Sequence, residues 1–362
     1  MSQTVHFTPG PSQLYPGMDQ FISNALDKDI CAISHRSQAF KDVYEKTVKG
    51  LTQLLSLPEN WKMVFMPSAS EAWERILLNA VNERSFHFVN GSFSKKFFQY
   101  AQSVGIDAHK YEVKGGQGID PLKAEIPEMT ELICFTHNET SCGAFTLLED
   151  IYTIREQHPD SLIALDVVSS LPYPNIDYTK IDTAFFSVQK CFGLPAGLGV
   201  WLVNDRFIEK TKANEAKGKL IGAHHNLLEM VAKGDEYQTL ETPNVLGIYL
   251  LGEVIEAMNT KGIEQLRNET DTKATMLYDY IQESSLFDFG INEEKYRSKT
   301  VIVANTKTEP SVINKYLKPF GLQVGAGYGA QKKTQIRIAN FPAHSVANVE
   351  KLIDCLKKFE ER

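Results

Sequence analysis

Short apolar, β-branched runs alternate along the first two-thirds of the chain with longer segments of helical period. Residues 62–66 (KMVFM) read as a buried strand, and a turn leads from them into an amphipathic helix over about 71–81. Residues 86–89, 132–136, 162–165, 183–188 and 200–203 read as further strands. Their near-continuous apolar content is that of a sheet covered on both faces. Strands and helices that alternate in this way predict an α/β fold with a mostly parallel central sheet covered by helices. Residues 244–259 (NVLGIYLLGEVIEAMN) then form a long helix, with Thr242-Pro243 as its cap and first turn.

After Gly262 the texture changes. A charge-rich helix over 263–284 precedes a strand at 300–304, a helix after Glu309-Pro310, a strand at 335–339 and a closing helix from Ser345. This is the pattern of a smaller α+β unit, and a chain of 362 residues has the size for two packed units. The Gly325-Ala326-Gly327-Tyr328-Gly329 stretch reads as a flexible loop.

Composition narrows the class. With 43% hydrophobic and 23% charged residues the chain is an ordinary globular protein. A net charge of −7 argues against nucleic acid, whose phosphates need a basic surface. No apolar run approaches the roughly 18 residues of a membrane span. The first residues, MSQTVHFTPGPSQLYPG, lack the basic start and apolar stretch of a signal peptide. Five scattered cysteines, with no CxxC pair, fit a reducing compartment and neither a disulfide framework nor a zinc site. The expectation is a cytoplasmic protein with no metal centre.

In an open parallel sheet, ligands sit beyond the carboxyl ends of the strands. Four chemically distinctive segments fall there. Pro67-Ser68-Ala69-Ser70 joins a strand to a helix through small residues, so backbone N–H groups and the helix N-terminus can hold a phosphate. Asn138-Glu139-Thr140 follows the next such strand, Asp166 ends another, and Gln189-Lys190 ends a third before a glycine-rich turn. Singly, each fits an ordinary turn, cap or solvated charge. Together they supply a phosphate cradle, an amine for a Schiff base and an acid for a pyridine nitrogen, which is what pyridoxal phosphate requires. Partial burial would lower the lysine pKa enough for it to act as a base near neutrality.

Nine segments then carry a resemblance over nearly the whole chain. They are TPGP (8–11), ISHRSQAF (33–40), SASEAWE (68–74), VNGSF (89–93), HNETSCG (137–143), DVVSS (166–170), QKCFGLPAGLG (189–199), ETPNVLGIYLLGEV (241–254) and IRIANF (336–341). In this order and spacing the chain resembles the class V pyridoxal-phosphate-dependent aminotransferases, and within them most nearly phosphoserine aminotransferase. The resemblance implies fold type I, with 20–261 as a large cofactor-binding domain and 1–19 with 262–362 as a small one. It implies that Lys190 bonds to the cofactor aldehyde, that Asp166 meets the pyridine nitrogen, and that Thr140 reaches the ring hydroxyl. Ala69, Ser70 and Gln189 hold the cofactor phosphate. Phe93 stands where the family stacks a tryptophan on the ring; the alternative is a core phenylalanine. Arg337 grips the substrate α-carboxylate, while His35 and Arg36 lie near its distal anion. Thr242 reaches the cofactor phosphate of a neighbouring subunit in a homodimer with shared active sites. Glu241 replaces the family's asparagine, and a carboxylate there is expected to point elsewhere.

The implied reaction moves an amino group between a small amino acid and a 2-oxo acid, of the phosphoserine:2-oxoglutarate type in serine biosynthesis. One departure bears on it: Ala330-Gln331 occupies the place of a His-Arg pair, leaving Lys332 or Lys333 as substitute point charges. An alanine–glyoxylate or serine–pyruvate type aminotransferase is the alternative, and a non-catalytic cofactor-binding relative a further one. A cysteine desulfurase is disfavoured: Gln189 precedes the lysine, and Cys191, joined directly to it, cannot move freely to a substrate sulfur.

Overall fold

The computed structural model describes residues 4–362. Fourteen strands follow one another in chain order among these residues: β1 (Val5–Phe7), β2 (Trp61–Met66), β3 (Arg84–Val89), β4 (Asp107–Glu112), β5 (Leu132–Thr136), β6 (Asn138–Glu139), β7 (Ala144–Phe145), β8 (Leu162–Asp166), β9 (Thr183–Ser187), β10 (Gly199–Asn204), β11 (Phe287–Phe289), β12 (Val301–Thr306), β13 (Leu322–Ala326) and β14 (Gln335–Ala339). Seven of them form the central sheet in the order β2-β10-β9-β8-β5-β3-β4. Only β10 runs against its neighbours; the pairs β3–β4, β3–β5, β5–β8 and β8–β9 are parallel. Every residue of β5, β8, β9 and β10 is buried, because helices cover both faces and each apolar side chain finds a layer to pack into.

On one face the helix Gln38–Leu55 packs on Val245–Lys261, around Phe40, Tyr44, Leu51, Ile248 and Leu251. On the other lie the helices Ala69–Ala80 and Ser92–Ser103, bringing Trp73, Ile76, Leu77 and Phe97 against Phe185 and Trp201 of the sheet. The first of these helices starts two residues before the expected position, because the Ser68 hydroxyl accepts from the Glu71 N–H and satisfies one of the unpaired donors of the first turn.

A second, five-stranded sheet has the order β1-β13-β14-β12-β11 and encloses its own core of Phe7, Leu277, Ile302, Val324, Ile338 and Leu352. The amino-terminal strand β1 runs parallel to β13, Val5 opposite Leu322. Past β1 the chain turns toward the central sheet, where Ser12 N–H donates to the Gln189 carbonyl and Tyr15 N–H to that of Gly193. Gly10 passes so close to the Lys190 side chain that a Cβ there would stand 2.9 Å from its Cε, and its φ of +138° favours glycine independently.

Of the departures from the pattern reading, two have a plain cause. The sequence DAHKYE of β4 carries too few apolar residues to register as a strand; it forms the exposed edge of the central sheet. Gly325 and Ala326, read above as part of a flexible loop, belong to β13 and pair with Arg337 and Ile336. Their glycine content reflects close packing between neighbouring strands.

Candidate active site

The register of the central sheet sets Asp166 beside Thr136 of β5 and Phe185 of β9, so the acid emerges at the carboxyl edge of three parallel strands. Three residues beyond β9, the Lys190 side chain folds back beneath Gly10 and is only 7% exposed. Its Nζ donates to Thr140 Oγ1 at 2.9 Å, and Thr140 Oγ1 donates to Ser169 Oγ at 2.8 Å. Burial disfavours the charged amine and brings its pKa down to about 8, partly opposed by the nearby Asp166 carboxylate. Asp166 is also buried, and burial pushes its pKa up to about 6, against the N–H of Val168, the Lys190 charge and the indole N–H of Trp73. The Val168 N–H donates to Oδ1 at 3.0 Å and Trp73 Nε1 to Oδ2 at 3.3 Å.

Phe93 stands at the start of the helix Ser92–Ser103, its ring centroid 5.0 Å from Lys190 Nζ. The helix has no side-chain cap of its own, since Gly91 precedes it. Glu139, fully buried, does that work from a different segment. Its carboxylate accepts from the N–H of Phe93 (3.1 Å), Ser94 (2.9 Å) and Ser141 (3.0 Å), and from the hydroxyls of Ser94 (2.9 Å) and Ser141 (2.6 Å). One acid thus ties the helix that carries Phe93 to the turn that carries Thr140. Sequence reasoning missed it; the signal was an acidic residue inside an otherwise apolar or small stretch, HNETSCG.

Arg337 reaches the same point from the second sheet. Its Nε donates to the Ala326 carbonyl at 2.8 Å and Nη1 to the Thr140 carbonyl at 3.2 Å, and its guanidinium lies 5.4 Å from the Tyr328 ring centroid. Burial lowers its pKa. Ala69 is buried and its N–H donates to Ser187 Oγ at 2.8 Å, while Ser70 is exposed and Gln189 half-buried beside Lys190. These residues form the neighbouring, helix-N-terminal side of the site.

His35, Arg36 and Thr242 gather elsewhere. Arg36 Nη1 donates to Gln238 Oε1 and the Thr239 carbonyl, both at 2.8 Å, and Nη2 to the Leu240 carbonyl at 3.1 Å. His35 feels Glu241, and its pKa is lowered by desolvation and by Arg36, against the pull of that carboxylate. Thr242 is exposed and lines a groove with Pro67, Gly197 and Glu241. Ala330 and Gln331 lie in the short helical turn Gly329–Gln331, lining a cleft with Ser92, Ser141 and Tyr328. Lys333 is 80% exposed and leans to Glu309 at 3.8 Å. Apart from this cluster, Glu71, His224 and His225 bring one ligand atom each within 4.8 Å of one another, with His225 Nδ1 already 2.5 Å from Glu71 Oε1.

A buried amine, a buried acid, an aromatic face and an arginine therefore meet at the edge of an α/β sheet. The family profile described as aminotransferase class-V matches residues 8–347. The chain belongs to the class-V aminotransferases. It is a transaminase, and its cofactor is pyridoxal phosphate. The residues present fit that group: Asp166 is a buried carboxylate whose environment already holds two fixed donors, Lys190 is an amine whose proton burial loosens, and the Ala69–Ala80 helix offers its N-terminus to a phosphate. Among solved structures, this aminotransferase is similar to a phosphoserine aminotransferase from Cytophaga hutchinsonii, with 52% identity, 99% of each chain covered and a TM-score of 0.98. A curated relative, the phosphoserine aminotransferase of Rhodococcus opacus, is 27% identical over 96% of this chain and 92% of its own length. An alanine–glyoxylate aminotransferase from Nostoc shares the fold, with a TM-score of 0.83 at 20% identity over 99% of this chain and 95% of that one.

Proposed function

We propose that this aminotransferase transfers the amino group between phosphoserine and 2-oxoglutarate, in the formation of serine. The observation that carries the reading is the whole-length likeness, at 52% identity, to an enzyme named phosphoserine aminotransferase. Bound pyridoxal phosphate would supply the electron-withdrawing ring that makes a proton on the substrate α-carbon removable. Asp166, ionised against the ring nitrogen, keeps that nitrogen protonated. Lys190 anchors the cofactor and then takes and returns the α-carbon proton at Nζ, a task suited to an amine of lowered pKa. Phe93 would face the bound ring, Thr140, which holds Lys190 Nζ, would also meet the ring hydroxyl, and Ala69, Ser70 and Gln189 would hold the phosphate. Arg337, set by its bonds to Ala326 and Thr140, presents the substrate carboxylate to the reacting centre.

In this reading the enzyme is a cytoplasmic homodimer. His35, Arg36 and Thr242, with Arg36 anchored by its bonds to residues 238–240, serve the partner's site. Residues 20–261 act as the cofactor-binding domain, and 1–19 with 262–362 as the unit that brings Arg337. No helix among the described residues is long and apolar enough to cross a membrane. A second reading, alanine–glyoxylate or serine–pyruvate exchange, is favoured by one observation only: Ala330-Gln331 offers no cation to a distal anion.

The deciding experiment is a matrix of phosphoserine, serine, alanine and aspartate against 2-oxoglutarate, pyruvate and glyoxylate, read as kcat/KM. Phosphoserine with 2-oxoglutarate should lead by about 100-fold or more, the scale of a buried charged contact. Alanine with glyoxylate, or serine with pyruvate, as the best pair would replace the proposal by the second reading.

A further inference from the structure

The chain has lost two potential cations at Ala330-Gln331, yet the reading above gives its substrate a distal anion. Tyr328, two residues earlier, has a lysine beside it. Its hydroxyl accepts a hydrogen bond from Lys96 Nζ at 3.1 Å. The Tyr328 ring lies 5.2 Å from the Phe93 ring, centroid to centroid. Lys96 Nζ stands 5.5 Å from the Phe93 centroid and 5.6 Å from that of Tyr328. Three cations thus surround two aromatic rings: Lys190 at Phe93, Arg337 at Tyr328, and Lys96 at both.

Phe93 and Lys96 are three residues apart on the same helix, so they share a face, and Phe93 lies in its first turn, where the helix dipole favours an anion. Lys95, the neighbour in sequence, turns away toward Glu112 at 3.9 Å. Among the described residues Lys96 has no carboxylate within 4.0 Å; its partner is the neutral tyrosine hydroxyl, which orients the ammonium without neutralising it. Lys190 and Lys96 lie 5.0 and 5.5 Å from one ring centroid. Their separation therefore cannot exceed the sum of these two distances, a span within reach of a three-carbon amino acid with a phosphate on its side chain and a hydrogen bond at each end.

We propose that Lys96, oriented by Tyr328, receives the distal anionic group of the substrate in place of the cations absent at Ala330-Gln331. The proposal rests on the phosphoserine reading for the phosphate ester and extends to the distal carboxylate of 2-oxoglutarate, which shares the site. Tyr328 is a positioning residue: it fixes the ammonium and stacks beside Arg337, which sets the spacing between the two anion-holding groups.

The test uses the loaded enzyme and its Lys96→Met, Lys96→Arg and Tyr328→Phe variants. Lys96→Met should lower kcat/KM for phosphoserine by about 10- to 100-fold, the range of one charged hydrogen bond, chiefly through KM. Serine and alanine, which carry no distal anion, should fall far less. Lys96→Arg should recover most of the loss, Tyr328→Phe should give a smaller loss of the same selectivity, and inhibition by inorganic phosphate should weaken in Lys96→Met. Equal losses for phosphoserine and serine would overturn the proposal in favour of a structural role, and unchanged values would show that Lys96 touches no substrate. Should the wild type fail to prefer phosphoserine, the phosphoserine reading falls separately. Lys96 is then judged on 2-oxoglutarate against pyruvate: a loss confined to 2-oxoglutarate supports the assignment, and equal losses end it.

Discussion

Glu139 offers the sharpest test of how the site is held. In Glu139→Ala, the backbone N–H groups of Phe93, Ser94 and Ser141 lose their acceptor together, in a place closed to bulk water. A buried donor left without a partner costs about 1–3 kcal/mol, and loss of a carboxylate at a helix N-terminus adds about 0.3–2 kcal/mol. Some of this returns if a water enters the space, so a net destabilisation of about 4–6 kcal/mol is expected. Glu139→Gln is more telling because it keeps the shape. One carboxylate oxygen accepts from Ser94 N–H and the other from Ser141 N–H, so either orientation of the amide turns an NH2 group onto a backbone donor. The two serine hydroxyls can rotate to accept, but the N–H cannot, and a cost of about 2 kcal/mol remains. Urea unfolding of both variants at one protein and cofactor concentration measures this, since bound cofactor and association shift apparent stability. A glutamine variant as stable as wild type, or an alanine variant within about 1 kcal/mol of it, would refute the argument.

Lys190→Ala should abolish transamination and the absorbance of the covalently held cofactor while leaving non-covalent binding; borohydride trapping at another lysine would contradict this. With the Lys190 pKa near 8, cofactor uptake by the cofactor-free protein should quicken about tenfold per pH unit up to that point and then level off; a break near the ordinary lysine value would contradict the burial. The unfolded chain holds the lysine proton between about pH 8 and 10.5 when the folded one does not, so this group's contribution to stability rises with pH across that window, and pH-dependent unfolding tests the sign. Introducing His-Arg at 330–331 should raise kcat/KM for phosphoserine in Lys96→Met more than in wild type; equal gains would mean that the two positions do not share an anion. Inactive Lys190→Ala and Thr242→Asp chains refolded together should regain roughly a quarter of the sites if each site takes Thr242 from the partner, and no recovery in mixed dimers identified by mass would mean that the two residues act within one chain or that Thr242 is not at the site.

The parts of this molecule legible in its sequence are those whose physics is local. β5 has the bounds its apolar run predicts, because a strand buried on both faces must be largely apolar, and β14 has those its alternation of apolar and polar residues predicts. Lys190 and Asp166 were legible because an α/β sheet puts chemistry at strand ends. What escaped depends on partners distant in sequence. Glu139 looks like a turn residue until the N-terminus of the helix Ser92–Ser103 is placed on it. Trp73 reads as the apolar face of its helix, and only the fold turns its N–H to Asp166, 93 residues away. Arg36 is anchored on carbonyls some 200 residues further on. The polar β4 and the glycine-bearing β13 hide for the opposite reason: their pairing comes from neighbouring strands, with little apolar pattern of their own.

The position of β1 has a consequence for how the protein comes into being. Residues 5–7 are synthesised long before the strand they pair with, β13, which is made only after residue 321, and the His344 ring that contacts the His6 carbonyl comes later still. The central sheet ends at residue 204, so its strands can assemble while the second sheet is still being synthesised. Until then the segment from Thr8 to Pro11 has no anchor on its amino-terminal side, and the cover over Lys190 is held from one end only. In a nascent or truncated chain ending before β13, the lysine would therefore lose part of the cover that buries it, and its pKa would move toward the ordinary value. Pairing of β1 with β13 is thus what fixes the cover over the buried lysine from both ends.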